Sequence, residues 1–89
     1  MIIVSQDKEE IVNFDLTCNM FVFGDNGIRC MLSDGSDTII GEYKTKERAI
    51  QVLGEIIEFY EDTKQKMMLK NIYVLDADAA DFVYYMPKE

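Results

Sequence analysis

The run Lys44–Lys70 constrains this chain more than any other, because it wraps onto one helix with two opposed faces. At 100° per residue, Ala49, Ile50, Val52, Leu53, Ile56, Ile57, Phe59 and Tyr60 fill one half of the circumference. Glu47, Arg48, Gln51, Gly54, Glu55, Glu58, Glu61 and Asp62 fill the other. The charges run against the helix dipole at first sight. Lys44, Lys46 and Arg48 crowd the positive N-terminal end, and a helix stopping at Asp62 would aim acids at its negative end. Continuing the helix to Lys70 resolves the second conflict. Lys64, Lys66 and Lys70 then occupy the last turns, Glu61–Lys64 and Asp62–Lys66 become favourable pairs, and Met67 extends the apolar stripe. Thr45 is the expected N-cap, Glu47 falls in the first turn, and Asn71 suits the left-handed C′ position.

The remainder reads as short strands. Met1–Ser5 and Glu10–Phe14 are apolar runs separated by the polar turn Gln6–Glu9, and a break follows at Asp15-Leu16-Thr17. Cys18–Phe23 and Gly27–Ser33 make the clearest hairpin around Gly24-Asp25-Asn26-Gly27. With that even-length loop, Phe21, Phe23, Ile28, Cys30 and Leu32 share one face, the better core candidate. Cys18, Met20, Val22, Arg29, Met31 and Ser33 share the other. A three-residue loop or a bulge would change this pairing. Asp37–Tyr43 follows a turn at Ser33–Ser36. Beyond the helix, Ile72–Leu75 is a candidate strand, Asp76–Asp81 a polar connection and Phe82–Met86 a final strand ended by Pro87. The expectation is a single α+β domain over 1–89: an antiparallel meander of about five short strands, one long amphipathic helix packed on it, then a C-terminal strand.

A predicted helix of about 37 Å is longer than the ~17–20 Å of a five- or six-residue strand. Its far end, with Tyr60, Met67 and Met68, would overhang the sheet unless Ile72–Leu75 folds back to cover it. An uncovered overhang would be a candidate dimer or partner contact.

Chemistry is hard to place on this sequence. It holds no histidine, which removes the commonest general base, the commonest metal ligand and any Ser-His or Cys-His nucleophile pair. No glycine-rich loop leads into Gly-Lys-Ser/Thr. Asp76-Ala77-Asp78-Ala79-Ala80-Asp81 resembles the start of a calcium loop, but Asp81 and Pro87 stand where an EF-hand needs Gly and Glu. Cys18 and Cys30, on opposite faces of the expected hairpin, are read as two reduced thiols, which fits the cytoplasm. Met1-Ile2-Ile3-Val4 meets Asp7-Lys8-Glu9-Glu10 too soon for a signal peptide, and no apolar run approaches the ~20 residues of a membrane span. No enzyme, cofactor or metal is expected.

Seventeen acids against nine bases give a net charge of −8, which disfavours nucleic acid and anionic membranes as direct partners. Two readings remain open: a solvated acidic surface that keeps the chain soluble, or one that imitates nucleic acid and occupies a basic groove on a protein.

At Ile3-Val4-Ser5-Gln6, Ile11-Val12-Asn13-Phe14, Gly41 to Ala49 (GEYKTKERA), Val52-Leu53 and Val83-Tyr84-Tyr85-Met86-Pro87, the chain resembles a group of small uncharacterised proteins of Gram-positive bacteria and their phages. The resemblance implies a strand meander followed by one helix. It departs most between Thr63 and Asp81, and it transfers no activity or binding residue. A phage setting points toward small proteins that bind and block a host defence or replication protein, such as an anti-CRISPR.

The leading expectation is therefore a non-catalytic protein-binding module, of mobile-element inhibitor type, in which Glu47, Glu55, Glu58, Glu61 and Asp62 meet a basic surface on a partner. The alternative is a structural, self-associating module, a homodimer built through Tyr60, Met67 and Met68 or through a sheet edge.

Overall fold

The computed structural model describes the backbone of residues 1–73 and 83–89, and the side chains of 1–65 and 83–89. In chain order it contains β1 (Ile2–Val4), β2 (Ile11–Asn13), a 3-10 turn (Phe14–Leu16), β3 (Thr17–Phe23), β4 (Gly27–Leu32), β5 (Asp37–Glu42), α1 (Lys46–Tyr73) and β6 (Val83–Tyr85). Among the described residues the fold is α+β, with six strands in two sheets and one helix, the sixth strand following the helix.

The strands do not form one meander. Among the described strands only β3-β4-β5 is a continuous antiparallel meander; β1 and β2 form a separate sheet with β6, ordered β2-β1-β6. In that sheet β2 runs antiparallel to β1, and β6 runs parallel to it, Ile2 facing Val83 and Val4 facing Tyr85. The physical reason lies between β2 and β3. Asn13 caps the 3-10 turn by accepting a bond from the Asp15 N–H at 3.0 Å, and Thr17 Oγ1 donates to the Phe14 carbonyl at 2.8 Å. The turn redirects the chain into the second sheet instead of laying β3 beside β2.

The hairpin loop has three residues, not four. Phe23 pairs with Gly27, Val22 with Ile28 and Met20 with Cys30, with Gly24 at φ +64° starting the turn. An odd loop pairs even with even, so the β3 half of the expected core face is reversed. Met20 and Val22, not Phe21 and Phe23, join Ile28 and Cys30 toward the helix. Cys18 still does not meet Cys30. The register slips between Thr17 and Asn19, which leaves Cys18 exposed in a bulge while Cys30 is buried. Both are free thiols, and burial raises the Cys30 pKa.

One core joins both sheets and the helix. Ile3, Ile28, Ile40, Val52 and Ile56 are its largest fully buried side chains, joined by Met1, Val12, Cys30, Tyr43, Ala49, Tyr84 and Met86. Each such burial is worth about 1.5–3 kcal/mol. The helix begins where expected: the Arg48 N–H donates to Thr45 Oγ1 at 3.1 Å. It runs past Lys70 to Tyr73, so Asn71 is not its C′ residue, and Ile72 and Tyr73 are helical, not strand. Val74 and Leu75, and the Asp76–Asp81 connection, lie outside the described residues. At 1.5 Å per residue, 28 residues make a helix of about 42 Å, nearly the whole 44 Å length of the molecule.

Among the described residues Gln6 makes the most bonds between the two sheets, beside the Thr38 hydroxyl donating to Glu10 Oε2 at 2.7 Å. Past the end of β1, the Gln6 N–H donates to the Ile40 carbonyl at 2.9 Å. Its side-chain amide then copies a strand: Nε2 donates to the Glu42 carbonyl at 2.8 Å, and Oε1 accepts from the Glu42 N–H at 2.7 Å. The same Nε2 donates to the Lys88 carbonyl at 2.7 Å. Gln6 thus joins β1, β5 and the C-terminal tail. Gln6→Ala is expected to lower stability by about 2 kcal/mol in urea unfolding, since three modest bonds go at once. Gln6→Glu should cost more at about pH 7 than at about pH 4, because its ionised form turns a carboxylate toward two carbonyl oxygens.

The β1–β2 turn carries a local cost. Lys8 sits at φ +63°, fixed by its N–H bond to the Ser5 carbonyl and by Asp7 Oδ1, which accepts from the Ser5 hydroxyl and the Glu9 N–H. Lys8→Gly is expected to raise stability by about 0.5–1 kcal/mol, read in the same unfolding experiment.

Candidate functional site: the acidic helix and its flanks

The helix packs through the angular sector of Ala49, Val52, Ile56 and Thr63, all buried. Opposite that sector lie Glu47, Glu58, Glu61 and Asp62, all exposed. Among the described residues Glu47, Glu58 and Glu61 form no ion pair. These four acids make a one-sided ridge, and the neighbouring Lys64 turns toward the other side. Its Nζ sits 5.2 Å from the centre of the Tyr60 ring.

Glu55 does not belong to this ridge. It lies on the flank of α1 facing β6, where Arg48 Nη1 approaches Oε1 at 3.5 Å and the Tyr84 hydroxyl donates to Oε2 at 3.4 Å. Arg48 also donates through Nε and Nη2 to the Glu89 carbonyl oxygen, at 3.1 and 2.9 Å, and through Nη1 to Gln51. Of the three basic residues set against the dipole, Arg48 is thus tied to Glu55 and to the C-terminal strand's tail. On β6, Tyr84 is buried and stacks on Phe59 at 5.4 Å, while the neighbouring Tyr85 is exposed. Tyr43, also buried, donates its hydroxyl to the Pro87 carbonyl at 2.9 Å. Gly41 lets that ring close in, for a Cβ there would meet Met86 Cε and Tyr43 Cε2 at 3.0 Å.

The opposite flank is apolar. Phe14, Met20, Leu53, Ile56, Ile57 and Tyr60 line an open cleft of about 480 Å³ between α1 and the first residues of β3, with Asp15 on its rim. The Asp15 carboxylate accepts from the Met1 α-amino group at 3.2 Å. Ile50 and Ile57, read as part of the apolar half, are about half exposed, since a three-stranded sheet is too narrow to cover the whole stripe. Tyr60 is half-buried, its ring 4.9 Å from that of Phe14. The side chains of Met67 and Met68 lie outside the described residues. The cleft and the Glu55 cluster were not legible beforehand, because both depend on the two-sheet topology.

Among the described residues, no group of three or more His, Cys, Asp or Glu side chains could hold a metal ion. Nor is any described helix long and apolar enough to cross a membrane. Compared with known proteins, the chain matches no family model, no curated protein and no solved structure.

Burial of the two tyrosines sets a pH limit on this flank. Burial pushes Tyr43 up from 10.0 to about 12, with Arg48 opposing and Glu55 assisting. Tyr84 is raised further, by burial first and then by the Glu55 carboxylate. The folded state therefore holds these protons where the unfolded chain would release them. Their contribution is complete below pH 10; that of Tyr43 is lost as the pH rises toward about 12, and that of Tyr84 at higher pH still. Tyr43→Phe should flatten the alkaline arm of a stability–pH curve measured by chemical denaturation.

Proposed function

We propose that this chain is a non-catalytic protein-binding module that presents the acidic ridge of α1 to a basic surface on a protein partner. The observation that carries the reading is the exposure of Glu47, Glu58, Glu61 and Asp62 along one helix face, three of them without an ion pair among the described residues. Carboxylates on a rigid helix retain most of their charge for a partner and are held at fixed spacing. Electrostatic complementarity of this kind speeds encounter and selects partners by sign. Glu55, named with these acids from sequence, acts on this reading as a brace between helix and tail.

The exposed Ile50 and Ile57 lie beside the ridge and offer the apolar contact that a charged surface alone lacks. A partner whose own role is to hold nucleic acid presents the required basic groove, and blocking it is the action of a mobile-element inhibitor of anti-CRISPR type. The resemblance at GEYKTKERA and VYYMP supports that setting. Direct binding of nucleic acid or of an anionic membrane is disfavoured by the net charge of −8.

The test is charge reversal at Glu47→Lys, Glu58→Lys and Glu61→Lys, none of which supports the core. The wild-type chain, immobilised and exposed to lysate of its source organism, should retain a basic protein that elutes with rising salt. The triple variant should keep its unfolding midpoint and lose that protein. Undiminished retention by the folded variant would reject the ridge.

A further inference from the structure

Two carboxamide residues grip the end of β5, one from the chain after β1 and one from the chain before β4. Gln6 bonds both the N–H and the carbonyl of Glu42. Asn26, at the end of the β3–β4 loop, does the same to Tyr43. Its backbone carbonyl accepts from the Tyr43 N–H at 2.9 Å, and its Nδ2 donates to the Tyr43 carbonyl at 2.6 Å. Asn26 is also followed by a glycine, which Asn13, Asn19 and Asn71 are not. Without a side chain in the way, a glycine nitrogen reaches the preceding carboxamide more readily than that of any other residue. Here that residue, Gly27, is buried and paired with Phe23 on one side and Glu42 on the other.

We propose that Asn26–Gly27 is a deamidation site that the fold holds shut, so that the reaction marks only molecules in which the end of β5 has let go. In the open chain the Gly27 backbone nitrogen, its proton taken by hydroxide, bonds to Asn26 Cγ. The Cγ–Nδ2 bond breaks and ammonia leaves. Water then opens the resulting cyclic imide at either of its carbonyls, which gives aspartate or isoaspartate in place of Asn26. One water enters, one ammonia departs, and nothing is oxidised or reduced. The folded state blocks both halves of the first step. The Asn26 carboxamide is fixed on Tyr43 and does not swing toward Gly27, and Gly27 itself sits buried within the ladder.

Neither product restores the grip. An aspartate turns an oxygen toward the Tyr43 carbonyl where a donor stood. Lys44 and Lys88 line the cleft beside Asn26, but pairing with either leaves the Tyr43 carbonyl without this donor. Isoaspartate departs further, because it adds a main-chain atom to the three-residue loop whose length sets the register of β3 on β4. Both products add one negative charge to the −8 already present, so modified chains separate from intact ones by ion exchange. The site therefore keeps a one-way record of opening at the point where the hairpin loop is fastened to the chain leading into α1.

The experiment incubates the full chain at mildly alkaline pH, in buffer and in urea above its unfolding midpoint, and follows Asn26 by peptide mapping with mass detection. Both products should accumulate in urea, with Asn13 and Asn19 intact over the same period. In buffer the reaction should be slower by about tenfold or more, because it waits on opening of the β5 end. Gln6→Ala, which releases the other grip, should speed the reaction in buffer severalfold and leave the rate in urea unchanged. Asn26→Asp, made directly, should unfold at a lower urea concentration than the wild type. Equal wild-type rates in buffer and urea overturn the proposal, and so does an Asn26 that stays intact in urea; neither comparison needs a variant to fold. A Gln6→Ala rate in buffer no faster than wild type overturns it too, as does an Asn26→Asp chain of undiminished stability.

Discussion

The structure depends on how its two sheets are joined, and the carboxamide of Gln6 makes more bonds in that joint than any other side chain described. Two three-stranded sheets share one core, and their ends are held together at Gln6, by the Thr38–Glu10 bond and by the Tyr43–Pro87 bond. Gln6 does this by offering β5 a donor and an acceptor in the geometry of a strand, while its backbone reaches Ile40 and its amide also reaches the tail at Lys88. A carboxylate lacks the donor and a lysine lacks the acceptor, so no charged residue of similar reach substitutes for it. With this joint in place, Ile3 and Val12 from the smaller sheet meet Ile28 and Ile40 from the larger one, and α1 closes over both.

How much of this was written plainly in the sequence depends on the range of the interaction. The helix was legible in type, start and length past Asp62, because its period, its Thr45 cap and its late lysines are local signals. The hairpin core was misread at β3 because both of its faces are apolar: Met20 and Val22 compete with Phe21 and Phe23, and one residue of loop length decides between them. Pairing of β6 with β1, and the whole division into two sheets, are long-range choices that no local pattern encodes.

The acidic residues divide for the same reason. A helical wheel places Glu55 among the outward acids, yet Tyr84 and Arg48 capture it from elements brought there by topology. Charge in this molecule is sorted: one set braces the C-terminal strand against the helix, and another faces solvent along a straight rod. On the proposed reading, that sorting would make the acidic surface selective, since a basic partner would meet a fixed row and not a diffuse cloud.

The parallel pairing of β1 with β6 has a consequence for how the chain is made. Its partners lie nearly the whole chain apart, so on the ribosome β1 emerges first and must wait for the last strand before its second edge is covered. Until then the nascent chain carries an open edge beside Ile3, the situation in which unpaired strands seek the wrong neighbour. The β1–β2 hairpin, closed early by the Ser5–Asp7 turn, occupies one of the two edges in the meantime. The time needed to make the residues between β2 and β6 is then the least time for which that edge stays open.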